Sequence, residues 1–259
     1  SHTVNTVDAF DTYRLYHAGG EYSFDGTMHS FKTEHDTLQV RQPDGTMRAE
    51  PIRLRRSVHG PVVRSTDSTA LAVRTPVLNR HGALRQWRDI GLAKDLSEFE
   101  SATRRLQVSM FTTSYADQSG HIYYLFGGQV PDRSTGDFTF WQRALPGDTS
   151  SVLWSDAYGC EALPRVVDPA SGFLQNSNSP PWFSTLPSPL KRANYPEYLA
   201  LDRLRLREQR GLQMLRADTS IRLSELVDMR YSNHLLLADR VLGGSSAGRS
   251  RGGGHPYPK

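Results

Sequence analysis

The sequence predicts an α+β fold built on antiparallel sheets. Hairpin signals crowd its first half: Pro43-Asp44-Gly45 and Asp117-Gln118-Ser119-Gly120 each separate two runs of strand-like residues. Helical spacing of apolar residues is confined largely to the last third. Strands and helices segregated along the chain place antiparallel sheets beside a helical layer.

Phe10 to Tyr16 mixes Phe, Tyr and Leu with polar residues and reads as a strand. Thr37 to Val40 and Met47 to Ser57 flank the first turn, and Val62-Val63 and Ala70 to Val77 extend the pattern around Ser-Thr-Asp-Ser. Asp95 opens a helix to about Leu106, with Phe99, Ala102 and Leu106 on one face. Met110 to Ala116 and His121 to Phe126 form the second hairpin. Pro131 to Pro169, turn-rich and dotted with Phe138, Phe140, Trp141 and Trp154, reads as a surface excursion that can line a pocket.

A helix is expected from Tyr195-Pro196-Glu197, with Pro196 in its first turn, through Leu199, Leu206, Leu212 and Leu215. Ser224 caps a second, carrying Leu226, Met229, Leu236, Leu237 and Val241 on a broad face. One domain over 1–242 results, β-rich over 1–180 and helical over 195–242. The Gly, Ser, Arg and Pro of 243–259 read as a disordered tail.

Composition excludes several function classes. Thirty-one basic against 27 acidic residues leave a net charge of +4, and the Arg residues of Arg53 to Arg56 and Arg203 to Arg210 alternate with other residues, as solvated faces do. Cys160 is the sole cysteine, so neither an internal disulfide nor a cysteine zinc site can form; it reads as a small hydrophobe. No apolar run reaches membrane-spanning length. The nine histidines show no metal-like cluster, and His59 reads as a strand-end turn residue.

The loop Gln175 to Trp182 holds two asparagines, Asn176 and Asn178, one residue apart and closed by Pro180-Pro181-Trp182. Such a stretch is neither good helix nor good strand, and a rigid loop can aim a side-chain N–H at an oxygen that gains negative charge.

Together with this loop, His2 to Leu15, Val58 to Val62, Thr113 to Asp117, Gly120 to Tyr124, Val130 to Arg133 and Ser224 to Val241 occur in an order that resembles the penicillin acylase family of N-terminal-nucleophile hydrolases, with acyl-homoserine-lactone and aculeacin-type acylases most similar. The resemblance implies a four-layer αββα sandwich, here incomplete, and hydrolysis of the amide between an acyl chain and an amine. It implies a nucleophilic serine freed by self-cleavage of a precursor, with its own α-amine, of reference pKa about 7.7–8.0, as base. Val4 matches the residue whose backbone N–H forms half of the oxyanion hole, Asn178 the asparagine that forms the other half, and Arg207 an arginine that orients that asparagine, with Arg205 and Arg210 as alternatives. Asp8 and Asp11 match, at similar spacing, two carboxylates that hold a structural calcium in some members.

In the family the nucleophile lies several dozen residues before His2-Thr3-Val4. Ser1 is therefore not read as that residue. The chain is expected to be an internal part of the β chain, to require the α chain of the same precursor, and to be poorly soluble and inactive alone. No cofactor for catalysis is expected. A small-molecule acyl amide is the expected substrate, with Trp182 and the aromatics from Phe138 to Trp154 as candidate acyl-pocket walls, and the location is periplasmic or secreted. The alternatives are a compact hydrolase that uses Ser1, or a non-enzymatic β-rich module that binds through exposed Tyr, Trp and Arg.

Overall fold

A computed structural model of the protein describes residues 1–246. Twelve strands run in chain order: β1 (His2–Val4), β2 (Asp11–Ala18), β3 (Glu21–Phe24), β4 (Thr27–Ser30), β5 (Lys32–Arg41), β6 (Met47–Ser57), β7 (Gly60–Ser65), β8 (Thr69–Arg74), β9 (Phe111–Ala116), β10 (Ile122–Phe126), β11 (Leu145–Pro146) and β12 (Arg165–Val167). The α-helices are α1 (Ala83–Leu92), α2 (Leu96–Thr103), α3 (Phe138–Trp141), α4 (Leu206–Ala217), α5 (Leu223–Tyr231) and α6 (Leu236–Ser246).

The strands form two sheets. The smaller has the order β1-β9-β10-β12 and is antiparallel throughout. The larger has the order β4-β3-β2-β8-β7-β6-β5, with β11 added parallel to β2. Turn chemistry sets both predicted hairpins. Asp44 accepts the Thr46 N–H at 3.0 Å between β5 and β6, and Asp117 accepts the Ser119 and His121 N–H groups at 2.8 and 3.1 Å between β9 and β10. Asp95 caps α2 as expected, accepting the Glu98 N–H at 2.9 Å. The helix stops at Thr103 rather than near Leu106, whose φ of +46° lies outside helical space.

Other elements depart from the sequence reading. Residues 195–205 do not start a helix; α4 begins at Leu206. Tyr198, Leu199 and Ala200 are all buried, and three consecutive buried side chains suit a segment threaded into the core better than one helix face. The C-terminal helix is two helices, because the chain leaves helical space at Ser232. Glu225, rather than Ser224, sets the start of α5 by accepting the Arg222 N–H at 2.7 Å. Helix α6 continues through Ser246, so 243–246 are not an irregular tail; the rest of that expectation, 247–259, lies outside the described residues.

The stretch 131–169 is core rather than surface excursion. Trp141, Leu145, Trp154, Leu163 and Val166 are buried with Tyr13, Tyr123, Tyr124 and Phe126 in the main cluster, under both sheets' contributions. Cys160 joins them, and burial pushes its thiol pKa up, which suits a packing residue. A second, smaller cluster of Leu15, Tyr22, Phe31, Ala70 and Ala72 fills the large sheet. No helix among the described residues is long and apolar enough to cross a membrane.

Candidate functional site

Strand β1 is an edge strand of the smaller sheet. Ser114 donates to the Ser1 carbonyl at 2.8 Å, and Asn5 donates to the Met110 carbonyl at 3.1 Å. In an antiparallel ladder the bonded residues alternate. Ser1, Thr3 and Asn5 therefore face β9, and Val4, opposite Phe111, turns its N–H and C=O away from it. Asn5 fixes the strand end. Its buried amide donates to the Gly127 carbonyl at 2.6 Å and accepts the Val7 N–H at 3.3 Å.

The loop 175–182 meets this open edge. Gln175 N–H closes its base on the Ser184 carbonyl at 2.7 Å, and Ser179, Pro180, Pro181 and Trp182 are buried. Asn178 has φ +59°, left-handed backbone that asparagine tolerates better than most residues. The Asn176 side-chain oxygen accepts the Asn178 backbone N–H at 3.1 Å, an Asx turn that holds this conformation. The Asn178 side-chain amide donates to the Val4 carbonyl.

Arg207, in the first turn of α4, sets which way that amide faces. Its Nη2 donates to Asn178 Oδ1 at 2.7 Å and also to the Ser177 carbonyl. A guanidinium only donates, so it binds the oxygen of the carboxamide and turns the NH2 toward β1. Helix α4 lies beside the loop: a Cβ on Gly211 would stand 3.9 Å from the Ser177 hydroxyl oxygen, in ordinary contact. Arg205 is exposed and Arg210 half-buried; neither has a hydrogen bond to the loop. Val4, Asn178 and Arg207 are thus brought together by groups far apart in sequence. Sequence reading gave no role to Asn5, which holds the end of β1, and named Asn176 without its role of holding the Asn178 turn; the Asn-x-Asn spacing was the available sign of that turn.

Asp8 and Asp11 lie elsewhere, buried against Arg133. Asp11 takes a bidentate bond from Arg133, 2.8 Å from Nη2 and 3.1 Å from Nε, and a third bond from the Trp154 indole at 2.6 Å. Asp8 Oδ2 stands 3.3 Å from Arg133 Nη1. Burial pushes both carboxyls up against the pull of Arg133, Asp11 to about 6. Calcium requires six to eight oxygens, whereas hydrogen bonds already engage both Asp11 oxygens. No group of three or more His, Cys, Asp or Glu among the described residues can hold a metal ion. The donor set does not fit calcium.

The other candidates have structural surroundings. The Trp141, Trp154 and Trp182 indoles donate to the Thr135 carbonyl, Asp11 and Asp202, which anchors all three rings in the core. His59 is fully buried, its ring tilted against that of Tyr13 with centroids 4.5 Å apart, and neither ring nitrogen is hydrogen-bonded. Arg55 lies over the Phe31 ring, and Arg48 pairs with Glu50, as on a solvated ribbon. A cleft of about 700 Å³ is bordered by Arg133, Asp137, Phe140, Arg143, Tyr158 and Glu197, so part of the 131–169 stretch does line a concavity.

Comparison with known proteins places this geometry in context. The sequence model of the penicillin amidase family matches residues 1–251. Acyl-homoserine lactone acylase PvdQ of Pseudomonas putida is 27% identical over 268 aligned positions, which cover 93% of this chain and 34% of that protein. The protein of the same name from Pseudomonas syringae pv. tomato is 26% identical, covering 74% of this chain and 28% of the relative. Penicillin G acylase of Escherichia coli is 27% identical over 68% of this chain and 20% of its own length. The chain thus spans about a third or less of these curated relatives. Thermostable penicillin G acylase from Alcaligenes faecalis superposes with a TM-score of 0.75 at 19% identity, over 97% of this chain and 44% of that one, and shares its mixed helix and antiparallel-sheet fold.

Proposed function

This chain belongs to the penicillin amidase family, and from that premise we propose that it supplies the oxyanion-binding half of an acylase active site that hydrolyses the amide between an acyl chain and an amine. The relatives named for acyl-homoserine lactone and penicillin G acylase activity support that substrate class. The observation that carries the reading is the meeting of the Asn178 amide with the outward edge of Val4.

Attack on an amide carbonyl moves charge onto its oxygen. Two donors already in place stabilise that charge without reorganisation. Here the donors are the Val4 N–H, directed off the sheet, and the second N–H of the Asn178 amide. Arg207 serves by keeping the amide oxygen away from the substrate oxygen.

The nucleophile in this reading is not Ser1. Three residue-to-residue steps of extended chain separate it from Val4, roughly 10 Å at about 3.3 Å per step, too far for one attacking atom and one oxyanion. The Ser1 α-amine also donates to the Ser114 carbonyl at 2.7 Å. A serine outside these residues and a partner chain from the same precursor complete the site.

The test is release of free amine from N-acyl amides by the acylase that contains this chain. Arg207→Ala is expected to lower turnover about 10–100-fold, the loss of one charge-assisted bond of about 1.5–3 kcal/mol, and Ser1→Ala to leave it unchanged. Loss of all amine release in Ser1→Ala contradicts the assignment.

A further inference from the structure

We propose that Arg133 is a built-in counter-ion that occupies the place of a divalent cation between Asp8 and Asp11, so that this part of the fold is held without calcium. The guanidinium hydrogen-bonds Asp11 through two nitrogens and pairs with Asp8 through the third, a nitrogen that has no hydrogen-bond partner. All three residues are buried, with Asp11 1% and Arg133 3% exposed. The planar fork of Arg133 meets both oxygens of Asp11 at 2.8 and 3.1 Å, and its remaining nitrogen lies 3.3 Å from Asp8.

The surroundings suit a flat, weakly hydrated cation better than a calcium ion. The guanidinium carbon sits 4.6 Å from the Trp141 ring centre and 5.2 Å from that of Tyr198. Rings on the faces and carboxylates at the edge match the two chemistries of guanidinium, whereas aromatic carbon offers calcium no ligand. The backbone of Arg133 is pinned as well: the Tyr198 hydroxyl accepts its N–H at 2.9 Å and donates to its carbonyl at 3.0 Å. A divalent ion between the same carboxylates would displace Arg133 into its own repulsion.

Arg133 also ties together segments distant in sequence. Asp8 and Asp11 lead into and begin β2, Trp154 and Tyr158 belong to the 131–169 stretch, and Tyr198 lies in the core segment before α4. One buried cation therefore does for these segments what a bound metal does elsewhere.

The test is thermal unfolding of the acylase that contains this chain, in calcium and in chelator, with Arg133→Met and the double variant Asp11→Asn with Arg133→Met. The wild type is expected to melt at the same temperature in millimolar calcium and in EDTA. Arg133→Met is expected to melt several degrees lower, because it leaves two carboxylates buried and unpaired, and the double variant to recover part of that loss. A wild-type melting temperature that rises with calcium or falls with EDTA overturns the proposal, as does a double variant no better than Arg133→Met. Should Arg133→Met fail to fold, the wild-type comparison alone decides.

Discussion

Replacing Asn178 with glycine or alanine is expected to lower turnover roughly 10²–10³-fold, the usual cost of one oxyanion donor. The effect belongs in kcat. The amide is needed when the carbonyl oxygen becomes an anion, and far less when it is a neutral acceptor. Glycine is the cleaner variant. Asn178 has φ +59°, where glycine sits without strain and alanine does not, so Asn178→Gly removes the amide while keeping the turn. The Asx bond from the Asn178 backbone N–H to Asn176 also survives in it. Steady-state kinetics with unchanged melting temperature check this; turnover near that of the wild type in Asn178→Gly removes the side chain from the chemistry.

The second large effect concerns stability. His59 is enclosed by Tyr13 and Phe24, and both of its ring nitrogens lack partners. Burial, with a smaller push from Arg74, lowers its pKa to about 4 from the ordinary 6.5. The native state thus holds the neutral ring while the unfolded chain binds a proton more readily. The stability this contributes is fully present above pH 6.5 and is lost as pH falls toward 4. The difference of about 2.5 pH units corresponds to about 3 kcal/mol. His59→Phe keeps the aromatic packing and removes the titration. Urea-unfolding free energies of wild type and variant are expected to differ by a constant above pH 6.5 and to diverge in the variant's favour below it. Parallel curves from pH 4 to 7 contradict the assignment.

What was legible in the sequence was local chemistry. Asp44, Asp95 and Asp117 act on backbone groups within four residues, so their turns and cap follow from neighbouring letters alone. The Asn-rich loop was legible for the same reason. Helix α1 was passed over because Gly82 offers no capping side chain and the helix buries only Gln86, while Leu84 and Leu92 face solvent. The pairs Tyr22–His29 and Phe24–Thr27 make a short hairpin whose register no periodicity revealed. Residues 195–205 carried a helix-start signal in Pro196. The Tyr198 hydroxyl, bound to both backbone groups of Arg133, draws them into the core instead.

The candidate site divides the same way. Its residue types and loop could be read from the sequence together with the family resemblance. Its geometry could not, because the outward turn of Val4 depends on the parity of pairing with Phe111, more than a hundred residues away. The carboxylates show the converse limit of local reading. Asp8 and Asp11 carry a spacing that resembles a metal site, and only the fold reveals a guanidinium between them.

A crystal structure of the active acylase that contains this chain, with a tetrahedral-intermediate mimic bound to its nucleophile, tests the central claim most directly. The mimic's oxygen is expected within about 2.7–3.1 Å of both the Val4 backbone nitrogen and Asn178 Nδ2, with Arg207 still on the amide oxygen. An oxygen bound by other donors, with the Asn178 amide turned away from it, contradicts the account.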